Sequence, residues 1–233
     1  MKIIFLNTWR SELRDELRAY VKRHIADTAV FCFQEADSKN RYAYEDLLHD
    51  GYAVHDADRQ EPDGGNHYGN VIYVRKDISI LEKSDIFTTR PGDFEVGLAA
   101  IVTVQVNNRA VTICNVHGVS QPGHKLDTPA RLSQSQAILD SMAHHDVVII
   151  GGDFNLLPET TSVKTFAQHG YRNLIAEYKV PTTRNRITLE HFPDTFQPFA
   201  DYAFVSPAIG VSDFTVPDDV VSDHQPLEVT IAI

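Results

Sequence analysis

Acidic, amide and imidazole side chains lie beside six separate apolar segments of this 233-residue chain. One strand-end Asn or Asp is usually a turn former, but six such positions together favour a shared functional site on a rigid scaffold. Side chains of these types can hold a divalent cation or transfer a proton. They belong to Asn7, Glu35, Asn115, His117, Asp153, Asn155, Asp201, Asp223 and His224.

The segment Val147 to Pro158, VVIIGGDFNLLP, shows this pattern most clearly. Its β-branched run predicts a buried strand, and two glycines then precede Asp153 and Asn155. The i, i+2 spacing predicts that both side chains leave the same face of an extended segment. Gly151 and Gly152 would let the backbone approach its neighbours closely and turn.

The types of the candidate ligands indicate which cation they would bind. Mg²⁺ and Mn²⁺ prefer oxygen ligands, whereas zinc sites favour Cys and His at short spacing. Cys32 and Cys114 stand far apart inside separate apolar runs. The sequence therefore predicts Mg²⁺ or Mn²⁺ as the cofactor.

The elements that must position these residues are mostly strands. Strands are predicted at both ends of the chain and over "TAVFCFQEA", with hairpins such as the one turning at Asn107 to Arg109. Apolar residues spaced at three and four predict single helices over Glu12 to Ile25, Ser38 to about Gly51, Leu126 to His144 and Thr161 to His169. This mixture predicts an α+β (α/β) fold with two packed mixed sheets flanked by helices. A purely parallel doubly wound sheet fits the hairpins less well.

Composition limits the classes of function. With 42% hydrophobic residues, the chain can form one domain over residues 1–233. The net charge of -11 argues against strong non-specific nucleic-acid binding. No membrane span is expected, because no apolar run approaches about 20 residues. The N-terminal residues do not resemble a signal peptide, so we expect a cytoplasmic monomer.

Six segments in order resemble the exonuclease/endonuclease/phosphatase superfamily, which includes deoxyribonuclease I. They are "FLNTW", "FCFQEAD", "NVHG", "GGDFN", "DYAFVS" and "VSDHQPL". "GGDFN" and "SDH" are the most specific, and the set spans nearly the whole chain. The resemblance implies a four-layer, deoxyribonuclease I-like sandwich and metal-dependent hydrolysis of phosphate esters.

The resemblance also implies a role for each residue that would hold the metal ion. Glu35 would be the principal ligand, Asn7 a supporting one and Asp223 a further carboxylate near the ion. Mg²⁺ usually keeps several waters, so one or two carboxylates and an amide suffice.

Four further residues are expected to carry the chemistry by the same resemblance. His224 would face the scissile phosphate, either as a base toward water or as a donor to a phosphate oxygen. Asp201 would accept from its other ring nitrogen. Asp153 would orient or deprotonate the attacking water, and Asn155 would donate its amide to a phosphate oxygen.

The remaining expected contacts are with substrate. His117 resembles a catalytic, phosphate-contacting position that some relatives fill with Tyr, and Asn115 would lie close to it. Trp9 stands where many relatives have a small polar residue, so it would either pack beside the ion or offer an aromatic face to substrate. Arg184 would clamp a phosphate, unless it is a plain solvated charge.

The identity of the substrate stays open on sequence alone. Only 118–129 and 177–198 are long enough to build a recognition surface between the motifs, and neither is strongly basic. The first hypothesis is a nuclease acting on DNA or RNA. The second is a phosphatase or phosphodiesterase of a small or lipid-derived phosphate. The third, a catalytically silent binding module, is disfavoured by the full set of catalytic residues.

Overall fold

Two six-stranded β-sheets form the centre of the molecule among the residues that the structure describes. The computed structural model describes residues 1–36, 41–59, 68–88 and 97–233. The strands are β1 Lys2–Asn7, β2 Thr28–Gln34, β3 Tyr52–Arg59, β4 Tyr68–Arg75, β5 Ile80–Phe87, β6 Leu98–Val106, β7 Arg109–His117, β8 Val148–Asp153, β9 Arg172–Asn173, β10 Asp201–Val205, β11 Gly210–Thr215 and β12 Leu227–Ala232.

Both sheets are mixed, as predicted. Sheet I has the order β11-β12-β1-β2-β4-β3, and sheet II has the order β5-β6-β7-β8-β10-β9. Strand β1 is parallel to β2 in sheet I, and β7 is parallel to β8 in sheet II. Hairpin connections give some of the antiparallel pairs, such as β6 with β7. A helix between β1 and β2, and another between β7 and β8, supply the crossovers that parallel pairs require.

Six helices flank the sheets among the described residues, and the last of them lies beside the cleft described below. They are α1 Arg14–His24, α2 Glu45–Leu48, α3 Pro129–Met142, α4 Thr161–Gln168, α5 Leu174–Glu177 and α6 Arg186–His191. The ring of Phe166 on α4 stacks on Phe204 of β10 with 4.6 Å between centroids. Within the described ranges, no helix is long and apolar enough to cross a membrane.

Strand β1 shows how the core is divided. Its Ile3 and Phe5 belong to the core between the sheets, whereas Ile4 and Leu6 belong to a second cluster with Leu17 on α1. A strand that is buried on both faces reads as a continuous apolar run, as β1 does. The predicted sandwich flanked by helices is therefore confirmed.

The structure differs from the sequence predictions at some element boundaries. Helix α3 begins at Pro129 because the Thr128 side chain accepts from the Arg131 backbone amide and caps it. The helix predicted from Ser38 is shorter, since the backbone leaves helical geometry at Tyr44. There the Tyr44 ring packs 4.6 Å from Phe33. Residues 38–40 of that prediction lie outside the described part of the chain.

Candidate active site

The polar strand ends come together along one edge of the two sheets. In sheet II, His117 on β7 and Asp201 on β10 are the cross-strand neighbours of Asp153, which ends β8 between them. In sheet I, Asn7 ends β1, and Glu35 directly follows its parallel neighbour β2. Parallel strands place their carboxyl ends at the same edge, which explains why these distant residues meet.

An open cleft of about 460 Å³ lies at this edge. Asn7 and Asp201 lie behind its wall and are only 1% and 2% exposed. Most of the predicted site residues line the cleft, namely Trp9, Glu35, His117, Asp153, Asn155, Arg184, Asp223 and His224.

His224 and Asp201 form a buried pair. The His224 Nδ1 atom lies 2.9 and 3.0 Å from the two Asp201 carboxylate oxygens, so it donates to this carboxylate. Its Nε2 then faces the cleft, 3.7 Å from Asp153 Oδ2. Burial and the Arg184 guanidinium act to lower the pKa of His224, but the Asp201, Asp223 and Asp153 carboxylates outweigh them and raise it. An imidazolium here can donate to a phosphate oxygen.

Asp153 is a buried carboxylate that faces several donors and cations. Asn7 Nδ2 donates to its Oδ2 over 3.1 Å, and the Asn155 backbone amide donates to its Oδ1 over 2.9 Å. Burial would raise the pKa of Asp153, but its cationic neighbours, led by His224 and Lys125, hold it well below the ordinary value. Asp153 is therefore ionised at neutral pH and can accept a proton or a hydrogen bond from water.

His117 shares the cleft with His224 but has a different environment. Its Nε2 lies 3.9 Å from both Glu35 Oε1 and Asp153 Oδ2. Burial lowers the pKa of His117, and the two carboxylates offset this effect only in part. The imidazoles of His117 and His224 therefore favour opposite protonation states.

Glu35 and Asp153 form an oxygen-rich site that suits a hard cation. Asn7 Nδ2 bridges them, 3.3 Å from Glu35 Oε1 and 3.1 Å from Asp153 Oδ2. Two carboxylates this close repel unless a cation lies between them, and their oxygens are the ligands that Mg²⁺ and Mn²⁺ prefer. The residues present therefore fit the implied metal ion.

The carboxamide of Asn7 is turned away from direct ligation in this arrangement. Its Oδ1 accepts from the Trp9 backbone amide over 3.0 Å, while its NH₂ group points at the carboxylates. Asn7 thus orients Glu35 and Asp153 by hydrogen bonds. Its oxygen as a metal ligand stays a prediction and requires the carboxamide to rotate.

A second group that could hold an ion consists of Asp153, Asp201 and His224, whose ligand atoms lie within 4.8 Å of one another. Both Asp201 oxygens, however, lie within hydrogen-bond distance of His224 Nδ1. The pair therefore suits proton chemistry better than ligation, since the Asp201 carboxylate is already engaged.

Asp223 and Arg184 form an ion pair on the wall of the cleft. Arg184 Nη1 lies 3.1 Å from Asp223 Oδ2, and the guanidinium belongs to a residue that is only 8% exposed. Arg184 is thus a buried cation on the cleft and not the solvated surface charge that the sequence also allowed. Asp223 as a metal ligand stays a prediction, because its partner in this structure is Arg184.

The extended geometry predicted for Asp153 and Asn155 is wrong. Strand β8 ends at Asp153, and Asn155 has a left-handed backbone with φ 53°. Both side chains still reach the cleft, but a turn brings them there. The Asn155 amide donates to the Gly118 carbonyl over 3.3 Å. The sequence did not reveal this turn, because Asn tolerates both conformations.

The close approach predicted for the two glycines is confirmed. A Cβ on Gly151 would lie 2.7 Å from the Phe5 ring, where sheet I packs on sheet II. Gly152 has φ +124°, and a Cβ there would lie 2.3 Å from the Val116 carbonyl oxygen. Neither position accepts a side chain without movement of its neighbours.

The predicted substrate contact of Asn115 is wrong. Its side chain is fully buried between the sheets and does not line the cleft. Its NH₂ group donates to the Phe33 and Val71 carbonyls of sheet I, and its Oδ1 accepts from Gln34 Nε2 over 2.5 Å. These bonds tie β7 to sheet I, so Asn115 joins the two sheets beneath the site.

Trp9 lies on the cleft wall, half-buried, with its ring edge-on to His191 at 5.7 Å between centroids. Its backbone, like that of Arg10 and Ser11, has a left-handed conformation. Glu35 is left-handed as well, with φ 52°. Such backbone costs about 1 kcal/mol or more per residue, so the clustering of these residues around the cleft is typical of a functional site.

Several residues of the site lie in segments that were predicted to contact substrate, but the sequence did not single out the residues themselves. His191, Phe192 and Thr188 line the cleft from the predicted recognition segment 177–198. Lys125 lies in the other predicted segment, 118–129, on an adjoining cavity. Its position in a loop gave no signal, because loop lysines are usually solvated.

Lys125 is a buried cation, with only 8% of its surface exposed. Burial and, to a smaller extent, the Arg184 guanidinium lower the pKa of Lys125 to about 8, even though the nearby carboxylates of Asp153, Asp201 and Asp223 act to raise it. The ammonium is therefore influenced by the carboxylates of Asp153, Asp201 and Asp223, although most of the residue is buried.

The motifs of the site and the fold that holds them are those of one protein family. The sequence model of the Endonuclease/Exonuclease/phosphatase family matches residues 5–224. The chain belongs to this family, as its motifs predicted. A comparison with curated protein sequences finds no significant match.

Solved structures of this family share the fold over the full length of the chain. A mannosyl-6-phosphatase from Bacteroides thetaiotaomicron superposes with a TM-score of 0.77 at 18% identity, with 100% of both chains covered. The human Nocturnin catalytic domain gives a TM-score of 0.76 at 17% identity, covering 100% of this chain and 94% of that one. Humanized TDP2 from D. rerio gives 0.77 at 17%, covering 100% and 99%. At these identities the likeness establishes the fold.

Proposed function

We propose that the chain hydrolyses a phosphate ester of a small molecule with the help of a divalent cation, Mg²⁺ or Mn²⁺. The observation that carries the proposal is the placement of Asp153. This ionised carboxylate lies 3.1 Å from Asn7 Nδ2 on the side of Glu35, and 3.7 Å from His224 Nε2 on the other side. It thus joins a cation-binding group to a proton-transfer group.

Glu35, Asp153 and Asn7 would hold the cation. When bound, the cation would neutralise charge on the phosphoryl oxygens. Asp153 orients the attacking water and accepts its hydrogen bond. His224 donates from Nε2 to a phosphoryl oxygen as charge builds in the transition state, and Asp201 fixes the tautomer that allows this.

Two other groups bind the phosphate in this proposal. Asn155 offers its amide at the cleft, and Arg184 offers a guanidinium held by Asp223. Neutral His117 contacts the opposite side of the phosphate, beside Glu35. Donors on several sides orient a tetrahedral anion, which a single cation cannot do.

The size and charge of the protein favour a small substrate over a nucleic acid. The cleft has a volume of about 460 Å³, in the range of small-molecule sites. The net charge of -11 would repel a nucleic-acid backbone outside the cleft. One structural relative is named as a mannosyl-6-phosphatase, which fits a phosphorylated small molecule.

The proposal is tested by product release from matched generic substrates. Purified protein would be assayed with p-nitrophenyl phosphate, bis-p-nitrophenyl phosphate and a supercoiled plasmid, with Mg²⁺, with Mn²⁺ and with EDTA. We expect turnover of the small esters that needs the cation, with little plasmid cleavage. Asp153→Asn serves as the blank, and Asp213→Asn, an exposed acid on β11, is the matched control.

Each outcome leads to a different conclusion. Plasmid cleavage that disappears in Asp153→Asn would replace the small-molecule proposal with the nuclease hypothesis. Turnover that persists in EDTA would remove the cation from the mechanism. Absence of turnover on all three substrates would favour the silent binding module, provided that the protein still binds a non-hydrolysable phosphonate analogue of the substrate.

A further inference from the structure

A second cavity of about 650 Å³ adjoins the catalytic cleft. The two share the wall formed by Asn155, Arg184 and Asp223, together with Phe192. The second cavity therefore continues the first on the side away from Glu35 and His117. A substrate with its phosphate among the catalytic groups can extend into this space.

Lys125 lines the second cavity, and its ammonium lacks a direct partner there. Within the part of the chain that the structure describes, Lys125 Nζ makes no hydrogen bond and no ion pair. The residue is 8% exposed. Burying an unpaired charge is costly, so a position of this kind points to an anion that binds from outside.

The loop that carries Lys125 is fixed in place. The Arg131 guanidinium donates to the carbonyl oxygens of Val119, Ser120, Pro122 and Leu126 at 2.6–3.1 Å. The Lys125 carbonyl accepts from the Leu157 backbone amide over 2.9 Å. The backbone that carries Lys125 is therefore held in place before any ligand arrives, which lowers the part of the entropy cost of binding that would come from ordering the loop.

Arg184 provides a second donor at the junction of the two cavities. Its Nη1 is used by Asp223, but its buried Nε has no hydrogen-bond partner among the described residues. An ammonium and a guanidinium that line one cavity suit a phosphate or carboxylate. Phe192 adds an apolar surface for the atoms that lead to it.

We propose that this cavity binds a second anionic group of the substrate, a phosphate or a carboxylate, with Lys125 as its main contact. The substrate would be a small phosphate ester with a second anionic group on its non-reacting part. The inference rests on the proposed function, because the first phosphate must occupy the catalytic cleft.

An alternative role for Lys125 is to balance the carboxylates of Asp153, Asp201 and Asp223. The two roles differ in their effect on ligands. A counter-charge would affect ligands with one or two anionic groups to the same degree. A contact to a second anionic group would affect only the ligands that carry one.

The test uses non-hydrolysable ligands, so that binding is measured apart from turnover. Propylphosphonate and a series of alkane bisphosphonates with two to five methylene groups would be titrated by calorimetry in Mg²⁺. We expect the best bisphosphonate to bind at least tenfold more tightly than propylphosphonate. This preference should disappear in Lys125→Met and return in part in Lys125→Arg. Lys22→Met, at an exposed lysine on α1, is the control and should keep it.

Two results would overturn the inference. One is equal affinity for propylphosphonate and every bisphosphonate in the parent protein. The other is a preference for the bisphosphonate that survives in Lys125→Met, which includes the case in which the variant loses affinity equally for both ligand types. Failure of the proposed function looks different: no phosphonate binds, and no phosphate ester turns over.

Discussion

Two groups of buried polar side chains lie on neighbouring strands of sheet II and differ in what their atoms contact. The first, the Asn115 group, is Asn115 on β7 with its partner Gln34 on sheet I. Both are neutral amides, and the hydrogen bonds of Asn115 end on the backbone and side chains of sheet I. The second, the Asp153 group, is Asp153 at the end of β8 with its neighbour His224, and these charged side chains line a cleft. Burial is similar in both groups, so burial alone does not define a site.

The difference teaches how to recognise a functional polar cluster. A neutral network with internal partners stabilises one arrangement of the sheets. A charged cluster such as that of Asp153 and His224 shifts pKa values and leaves oxygen and nitrogen atoms facing open space, which suits a ligand. The same residue type therefore has opposite roles at Asn115 and Asn155.

The largest expected effect comes from Asp153→Asn. We expect the turnover number to fall by about 10³-fold, because the amide cannot accept the proton or hydrogen bond of water as the carboxylate does. The melting temperature should fall as well, because the neutral amide loses the attraction of the cationic neighbours that hold Asp153 ionised, but the variant should stay folded. Phosphate release and circular dichroism measure the two properties. An active variant would remove Asp153 from the mechanism.

Asn115→Ala should reduce the stability of the protein and leave its turnover largely unchanged. It leaves the Gln34 amide and two sheet I carbonyls without their partner, so we expect the free energy of unfolding to fall by about 3 kcal/mol. Turnover per folded molecule should stay within a few-fold of the parent. Urea unfolding and steady-state kinetics test this. Asn155→Ala should mainly reduce turnover. If the two variants lost stability and turnover to the same degree, Asn115 and Asn155 would not have different roles.

Lys125→Met should increase stability at neutral pH. The pKa of Lys125 is lowered from 10.5 to about 8 in the folded state, which corresponds to a cost of about 3 kcal/mol when the ammonium is charged. Below pH 8 the variant should be more stable by up to this amount. As the pH rises from 8 to 10.5, the folded parent releases its proton first and gains stability, so the difference shrinks. Thermal melts across this range measure it. A variant less stable than the parent at pH 7 would contradict a costly buried charge.

Asp201→Asn should have the smallest of these effects, about 10²-fold on turnover. The buried carboxylate raises the pKa of His224, so its loss should lower that pKa. If the imidazolium is the working form, the alkaline limb of the pH–rate profile moves to lower pH in the variant. A profile that does not move would indicate that His224 acts without its proton.

The fold could be predicted because its signals are local and repeated. Runs such as that of β1 are apolar on both faces, and Asn107 and Asn108 both take the left-handed backbone that a tight hairpin turn requires. Strand β11 was missed, since only Phe214 among its six residues is buried and no apolar alternation marks it.

Most of the residues that line the cleft could be predicted from the sequence, but their geometry could be predicted only in part. Residue types and motif order brought together Glu35, Asp153 and His224. They could not separate Asn115 from a ligand contact, because the distinction depends on sheet I lying over β7. Lys125 could not be predicted for a similar reason. The loop that carries it is shaped by bonds from Arg131 to carbonyl groups several residues away, such as that of Pro122.

The position of β12 between β1 and β11 has a consequence for how the protein is made. Strand β12 follows every other described strand along the chain, yet it pairs with β1, the first. During synthesis, one edge of β1 therefore stays open until β12 has been made. His224 lies just before β12 and is made in the same interval. The nascent chain thus covers this edge of β1 and receives the imidazole of the site at nearly the same time.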